Sequence, residues 1–347
     1  MEKKSMRFGV LLQKRQAVVK ERELPLLGPH QVLVRQRACN ICTTDYGQWQ
    51  GLREHQGYPM AGGHESAGII EAVGAAVKDF AVGDHVGLAY DGCGECLACR
   101  SGDFNFCTGI KERRTKDGYL GTFGFADYCV RNTRAIVKMN PDLDFSEAAF
   151  VEPLATVVKG MEKIRLQPLE TVLVIGGGTM GLLNALAAKA MGARVIIAEI
   201  MENKLETAKE AGIEVIDAGN TDTVQKVKEF TDGMGADVVI VAVGSSKANE
   251  QALQAVKQLD GRILYFAAGY PVPEIKIDSN VIHYRRLELI GTYLAEARHF
   301  QFAAKLLNMG AVDVSCLIEE RKFQLDDIQN AFAYASIPGK YRVSVLL

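Results

Sequence analysis

From residue 7 to about residue 150, short apolar runs alternate inward and outward with a period near two. Examples are "QVLVRQRA", "SAGIIEAVG", "DHVGLAY", "DYCVRN" and "RAIVKM", each closed by a glycine-rich or polar turn. That period predicts strands half-buried on one face, joined into an antiparallel, barrel-like domain. From about Thr171 the pattern changes. Continuous apolar runs ("TVLVIG", "RVIIAE", "EVIDAG", "ADVVIVAVG", "GRILYFAAG") now alternate with amphipathic stretches such as "MGLLNALAAKAMG", "ENKLETAKEAG", "TVQKVKEF" and "ANEQALQAVKQL". Strands buried on both faces between helices of period 3.6 predict a doubly wound parallel sheet, so the chain reads as α/β with two domains. Past about Leu289 the pattern loosens, and "YRVSVLL" predicts one more strand, returning to the first domain.

Composition adds bounds to this picture. At 347 residues the chain is about twice a usual single domain, and 48% hydrophobic with 24% charged residues is ordinary for a globular enzyme. A formal charge of −2 gives no general pull towards nucleic acid or anionic membrane. The N-terminus "MEKKSMRFGV" has no apolar core of a signal peptide, and no run reaches the ~18–20 apolar residues that span a bilayer. The expectation is a cytoplasmic protein with neither a nucleic-acid nor a membrane partner.

The second half carries a specific motif. In "VLVIGGGTMG", Gly176, Gly178 and Gly181 form G-x-G-x-x-G between a predicted strand and a predicted helix, with Thr179 and Met180 inside it. This is the context in which a tight turn brings backbone against a pyrophosphate at a helix N-terminus. Eighteen residues past Gly181, Glu199 ends "RVIIAE", where a carboxylate can accept hydrogen bonds from both adenosine ribose hydroxyls. It would repel a 2′-phosphate, and the following "IMEN" has no arginine to hold one, so NAD is expected over NADP. Lys204 joins the candidate cofactor-binding residues.

Half of the eight cysteines stand in "CGECLACRSGDFNFC": Cys93, Cys96, Cys99 and Cys107, with gaps of two, two and seven residues. A reducing compartment disfavours disulfides, and the last gap and Thr108 differ from the ferredoxin pattern of three residues and a following proline. Four thiolates therefore predict a zinc ion with no open position, which is structural. A second set is of mixed type and far apart in the chain: Cys42, with Thr44 and Asp45, in "ACNICTTDYG"; His64 and Glu65 in "AGGHESAG"; and Glu152 in "FVEPLAT". Singly these residues read as core or capping groups. Together, one thiolate, one imidazole and one or two carboxylates make a donor set suited to catalytic zinc.

These residues carry a resemblance to the zinc-containing medium-chain alcohol and polyol dehydrogenases, in the branch of sorbitol and threonine dehydrogenases. "GHESAGIIEAVG" matches that family's G-H-E-x2-G-x5-G signature at Gly63, His64, Glu65, Gly68 and Gly74. The cysteine quartet resembles its structural-zinc lobe and "EPLA" the glutamate-bearing branch. The resemblance implies a GroES-like β-barrel catalytic domain (1–155 and 290–347, with the lobe at 91–110) and a Rossmann NAD-binding domain (156–289). It implies two zinc ions per chain: a structural one on Cys93, Cys96, Cys99 and Cys107, and a catalytic one on Cys42 and His64. Glu65 and Glu152 would be direct or water-bridged ligands of the latter, the choice between them left open. Asp45 would orient His64, and Thr44 would take the substrate proton as hydride passes from the alkoxide carbon to NAD. A homodimer or homotetramer is expected.

Thr43 and Gly47 depart from the family's glycine and histidine, which changes the proton exit, and Leu294 stands where sorbitol dehydrogenases place an arginine, with Arg298 close by. The basic stretch Lys111–Gly118 reads as a cationic rim or a solvated loop, and Trp49 as a cleft wall or core residue. The expected activity is NAD-dependent oxidation of a secondary alcohol of a polyol or sugar derivative to a ketone. The alternatives are an L-threonine or simple secondary-alcohol dehydrogenase and, in another class, a non-catalytic protein that binds NAD and zinc.

Overall fold

The computed structural model describes residues 5–54, 57–109, 115 and 117–347. The chain divides into two compact units, Met1–Ala155 with Ala295–Leu347, and Thr156–Leu294.

In the first unit, strands β1 (Ser5–Gln13) and β2 (Gln16–Glu23) pair antiparallel as a separate two-stranded sheet. The larger sheet contains β3 (Gln31–Ile41), β4 (Glu65–Val73), β5 (His85–Leu88), β6 (Tyr128–Asn132) and β7 (Ile136–Lys138). Burial along β3 alternates over its first half and becomes continuous from Ala38. At that point both of its edges are occupied by other strands, β4 and one from the far end of the chain. A strand so enclosed takes apolar residues on both faces, which accounts for "ACNI" at its end. Buried amides and hydroxyls there are satisfied internally. Gln36 donates to the carbonyls of Phe123 (2.8 Å) and Ala126 (2.7 Å), and Ser66 donates to Gln36 (2.7 Å).

The second unit is a six-stranded parallel sheet of β8 (Thr171–Ile175), β9 (Arg194–Glu199), β10 (Glu214–Asp217), β11 (Val238–Val241), β12 (Arg262–Tyr265) and β13 (Glu288–Gly291). The spatial order is β10-β9-β8-β11-β12-β13. Central β11, "VVIV", is buried at every position, as a strand covered by helices on both faces must be. The order reverses beside β8, and in such sheets ligands bind at the carboxyl ends of the strands at this switch point.

After the second unit the chain adds β14 (Phe323–Gln324) and β15 (Val343–Leu346) to the first. As "YRVSVLL" predicted, β15 pairs with β3, with Val345 opposite Cys39. Trp49 belongs to the core of this unit. It is 6% exposed, lies against Phe332 at 6.3 Å between ring centroids and donates to Gln329 (3.4 Å). The cleft-wall reading is thereby set aside. Of the basic stretch, residues 111–114 and 116 lie outside the described residues. No helix among the described residues is long and apolar enough to cross a membrane.

Candidate metal centres and dinucleotide turn

Three parts of the first unit meet at the end of β3. Cys42 follows the strand and caps the helix Thr43–Gln50 with extended backbone. Three residues on, Asp45 is 1% exposed and turns back, its Oδ2 accepting from the Cys42 amide (3.0 Å) and its Oδ1 from the Gly63 amide (3.3 Å). The same Oδ1 lies 3.6 Å from His64 Nδ1. One carboxylate thus ties two distant motifs together and orients the imidazole through its δ nitrogen. Gly63 is at φ +85°, and a Cβ there would stand 2.8 Å from both Cys39 Sγ and the Phe125 amide, so only glycine precedes His64. Asp45 also holds the His64 pKa well above the usual imidazole range, against the opposing effect of burial. Thr44 stands half-buried on the first helical turn, and Arg53 packs over Gly47.

Donor atoms of Cys42, His64 and Glu65 all lie within 4.8 Å of one another. Glu65, fully buried at the start of β4, is gripped by a residue that sequence reasoning missed. Arg342, 4% exposed, donates Nε to Oε2 and Nη2 to Oε1, both at 2.7 Å, and Nη2 lies 3.5 Å from Cys42 Sγ. Burial works against the Arg342 charge, but Glu65 and Cys42 outweigh it and raise its pKa. The one available signal was a cation leading an otherwise apolar strand.

Glu152, on the first turn of the helix Val151–Ile164, lies outside this mutual group. It is 5% exposed, and burial, with Glu65 adding to it and His64 opposing it, lifts its pKa to about 7. Its Oε1 accepts from the hydroxyl of Tyr90, a second residue that sequence reasoning missed. Cys42, His64 and Glu65 bring sulfur, nitrogen and oxygen close together, a set that fits zinc with room for a further ligand, and Glu152 stands outside it.

The fold also brings the other quartet together. Sulfurs of Cys93, Cys96, Cys99 and Cys107 lie within 4.8 Å of one another, and all eight cysteines are free of disulfides. Backbone amides point at the sulfurs: Cys93 N to Cys107 (3.2 Å), and Glu95 N and Cys96 N to Cys93 (both 3.4 Å). Amides of Cys99 and Thr108 draw the Cys96 thiol down to about 5, which favours the thiolate a metal requires, while burial pushes the neighbouring Cys99 thiol up to about 12. The lobe is fastened through Asp91, which accepts from Gly92 N and Asn132 Nδ2, both at 2.7 Å.

In the second unit, the turn after β8 has Gly176 at φ +99° and Gly178 capping the helix Thr179–Ala190. A Cβ on Gly181 would stand 1.8 Å from the Gly176 carbonyl oxygen, so the close approach of helix to turn requires glycine. Glu199 is 8% exposed, accepting from the amides of Gly177 (2.5 Å), Ile200 (2.7 Å) and Met201 (3.0 Å). It therefore also clamps the turn, beyond the ribose contact its position suggested. Lys204 Nζ reaches to 3.5 Å from where a Gly178 Cβ would be. Arg298, exposed on the helix Ala297–Asn308, pairs with Glu296 at 3.0 Å.

The chain is also similar to known proteins over nearly its whole length. The family described as Alcohol dehydrogenase GroES-like domain matches residues 28–141, and that described as Zinc-binding dehydrogenase matches residues 179–309. A sorbitol dehydrogenase of Halalkalibacterium halodurans is 31% identical over 95% of this chain and 94% of its own. An L-threonine 3-dehydrogenase of Pyrococcus horikoshii is 33% identical over 90% of each. A zinc-binding dehydrogenase of Sinorhizobium meliloti, solved bound to NADP, superposes with a TM-score of 0.85 at 27% identity, over 99% of this chain and 100% of its own.

Proposed function

The chain belongs to the zinc-containing medium-chain alcohol and polyol dehydrogenase family, and from that premise we propose that it oxidises a secondary alcohol of a polyol or sugar derivative to the ketone, with NAD as acceptor. The observation that carries the reading is the convergence of Cys42, His64 and Glu65 within 4.8 Å. In this reading those three hold the catalytic zinc with Glu152 alongside, and Cys93, Cys96, Cys99 and Cys107 hold a structural one. Bound there, zinc supplies Lewis acidity towards an alcohol oxygen, and NAD, when bound, supplies a hydride acceptor.

The chain's own residues do the rest. Asp45 fixes the His64 ring from the Nδ1 side, leaving Nε2 for the metal. Arg342 offsets the charge of Glu65 and Cys42, so the site carries less net negative charge into a buried setting. Thr44, next but one after Cys42, takes the substrate proton at its hydroxyl. The Glu199 carboxylate disfavours a 2′-phosphate, which supports NAD over the NADP of the Sinorhizobium relative. A homodimer or homotetramer forms part of the same proposal.

Threonine is the second substrate reading, favoured by the Pyrococcus relative. The test is a panel of polyols, sugar acids, sugar phosphates and L-threonine with NAD and with NADP, followed by absorbance of the reduced nicotinamide. NAD reduction by a polyol or sugar derivative is expected, with NADP at least about tenfold poorer. Turnover of threonine with none of the polyols would replace the leading reading with the second. Turnover of nothing in the panel, and of no simple secondary alcohol either, would point to a binding protein on this fold.

A further inference from the structure

Two carboxylates flank the Cys42 and His64 donors, and their own partners differ in kind. Glu65 has each oxygen engaged by a different nitrogen of the Arg342 guanidinium, a charged fork that fixes its plane. Glu152 has no such fork, and Arg342 and His64 act on it only through space. Among the described residues, its one hydrogen-bond donor is the neutral hydroxyl of Tyr90. Tyr90 is itself fixed: it follows β5 by two residues, and its ring meets Phe300 edge to face at 4.9 Å and 82°. Phe300 is 1% exposed on the helix Ala297–Asn308, so the phenol cannot swing away without opening the core.

A buried carboxylate next to a thiolate, imidazole and carboxylate group is a competent fourth ligand for a tetrahedral ion. If it closed on the metal, the position that a substrate oxygen needs would be filled and the site would have the closed character of a structural one. Glu152 stands outside the group of converging donors with its Oε1 tied to the Tyr90 hydroxyl, and it must give up that bond to turn towards them.

We propose that Tyr90 is a positioning residue that holds the Glu152 carboxylate short of the catalytic metal and so keeps one coordination position open for substrate. The proposal rests on the reading that Cys42, His64 and Glu65 carry that metal.

Tyr90→Phe removes the hydroxyl and keeps the ring against Phe300. The experiment uses the full-length zinc-loaded protein and follows zinc loss to excess dipicolinate, together with kcat and KM. In Y90F the more labile of the two zinc ions is expected to leave about tenfold more slowly, the scale on which outer partners of metal ligands act, with kcat falling by a similar factor. In the double variant Y90F/E152Q, zinc loss returns to near the wild-type rate, because the amide is a much poorer ligand. Unchanged or faster loss in Y90F overturns the proposal, as does slower loss that E152Q fails to reverse. Cys42→Ser separates this from failure of the underlying reading. If C42S retains both ions at wild-type lability, the metal is not held by Cys42, whatever Tyr90 does.

Discussion

Take away the Arg342 guanidinium from the metal-free protein, and Glu65 is left buried without its charged fork and with Cys42 beside it. Breaking a buried pair from one side typically costs about 3–5 kcal/mol, because the surviving charge stays desolvated. Arg342→Ala is therefore expected to lower unfolding stability in urea by about that amount, and Arg342→Lys, which keeps charge without the fork, by less. Gly181→Ala acts at a different place. Its methyl would collide with the Gly176 carbonyl oxygen, and the turn must move. Isothermal titration of G181A should show NAD binding weakened at least tenfold, while zinc content stays at the wild-type level. The residues that motifs announce were legible beforehand: Cys42, His64, Glu65, the cysteine quartet and the glycine turn. Arg342 and Tyr90 were not, because neither belongs to a local pattern. Their partners, Glu65 and Glu152, are 277 and 62 residues away, and only the folded sheet reveals the pairing.

Among the elements, the switch from a period of two to continuous apolar strands between helices located the change of architecture, and both kinds of strand formed where their patterns stood. The pairing partners were less legible. Alternation in "QVLVRQRA" says which face is buried but cannot say that β15 will lie on one side and β4 on the other, since edge partners are chosen by tertiary packing. The cysteine lobe is the element with least apolar support. It has Cys99 and Phe104 buried, but Leu97 and Phe106 are among the exposed hydrophobic residues. In the proposed reading, metal stands in for a core there. Cys96→Ser should reduce zinc from about two ions per chain to about one and increase proteolysis around residues 91–109, with the spectrum of a cobalt ion at the Cys42 site unchanged. An unaltered cleavage pattern would show that the Asp91 contacts hold the lobe without metal.

The whole chain leaves the first unit at Ala155 and re-enters it at Ala295, and each unit has buried clusters of its own. Calorimetry of the metal-free protein should resolve two transitions, as expected of units with separate cores. NAD at about a hundred times its Kd should stabilise one of them by about 2.7 kcal/mol and leave the other in place. A single transition shifting as one would contradict that division. The grip of Arg342 on Glu65 has a temporal side as well. It closes across 277 residues of chain, a span that includes every residue of the second unit. Long-range closures form late. On the proposed reading, zinc capture at the Cys42 pocket during refolding from denaturant is expected to act as a clock for the final crossing, lagging the local hairpin of β1 and β2 and the compact cysteine knuckle.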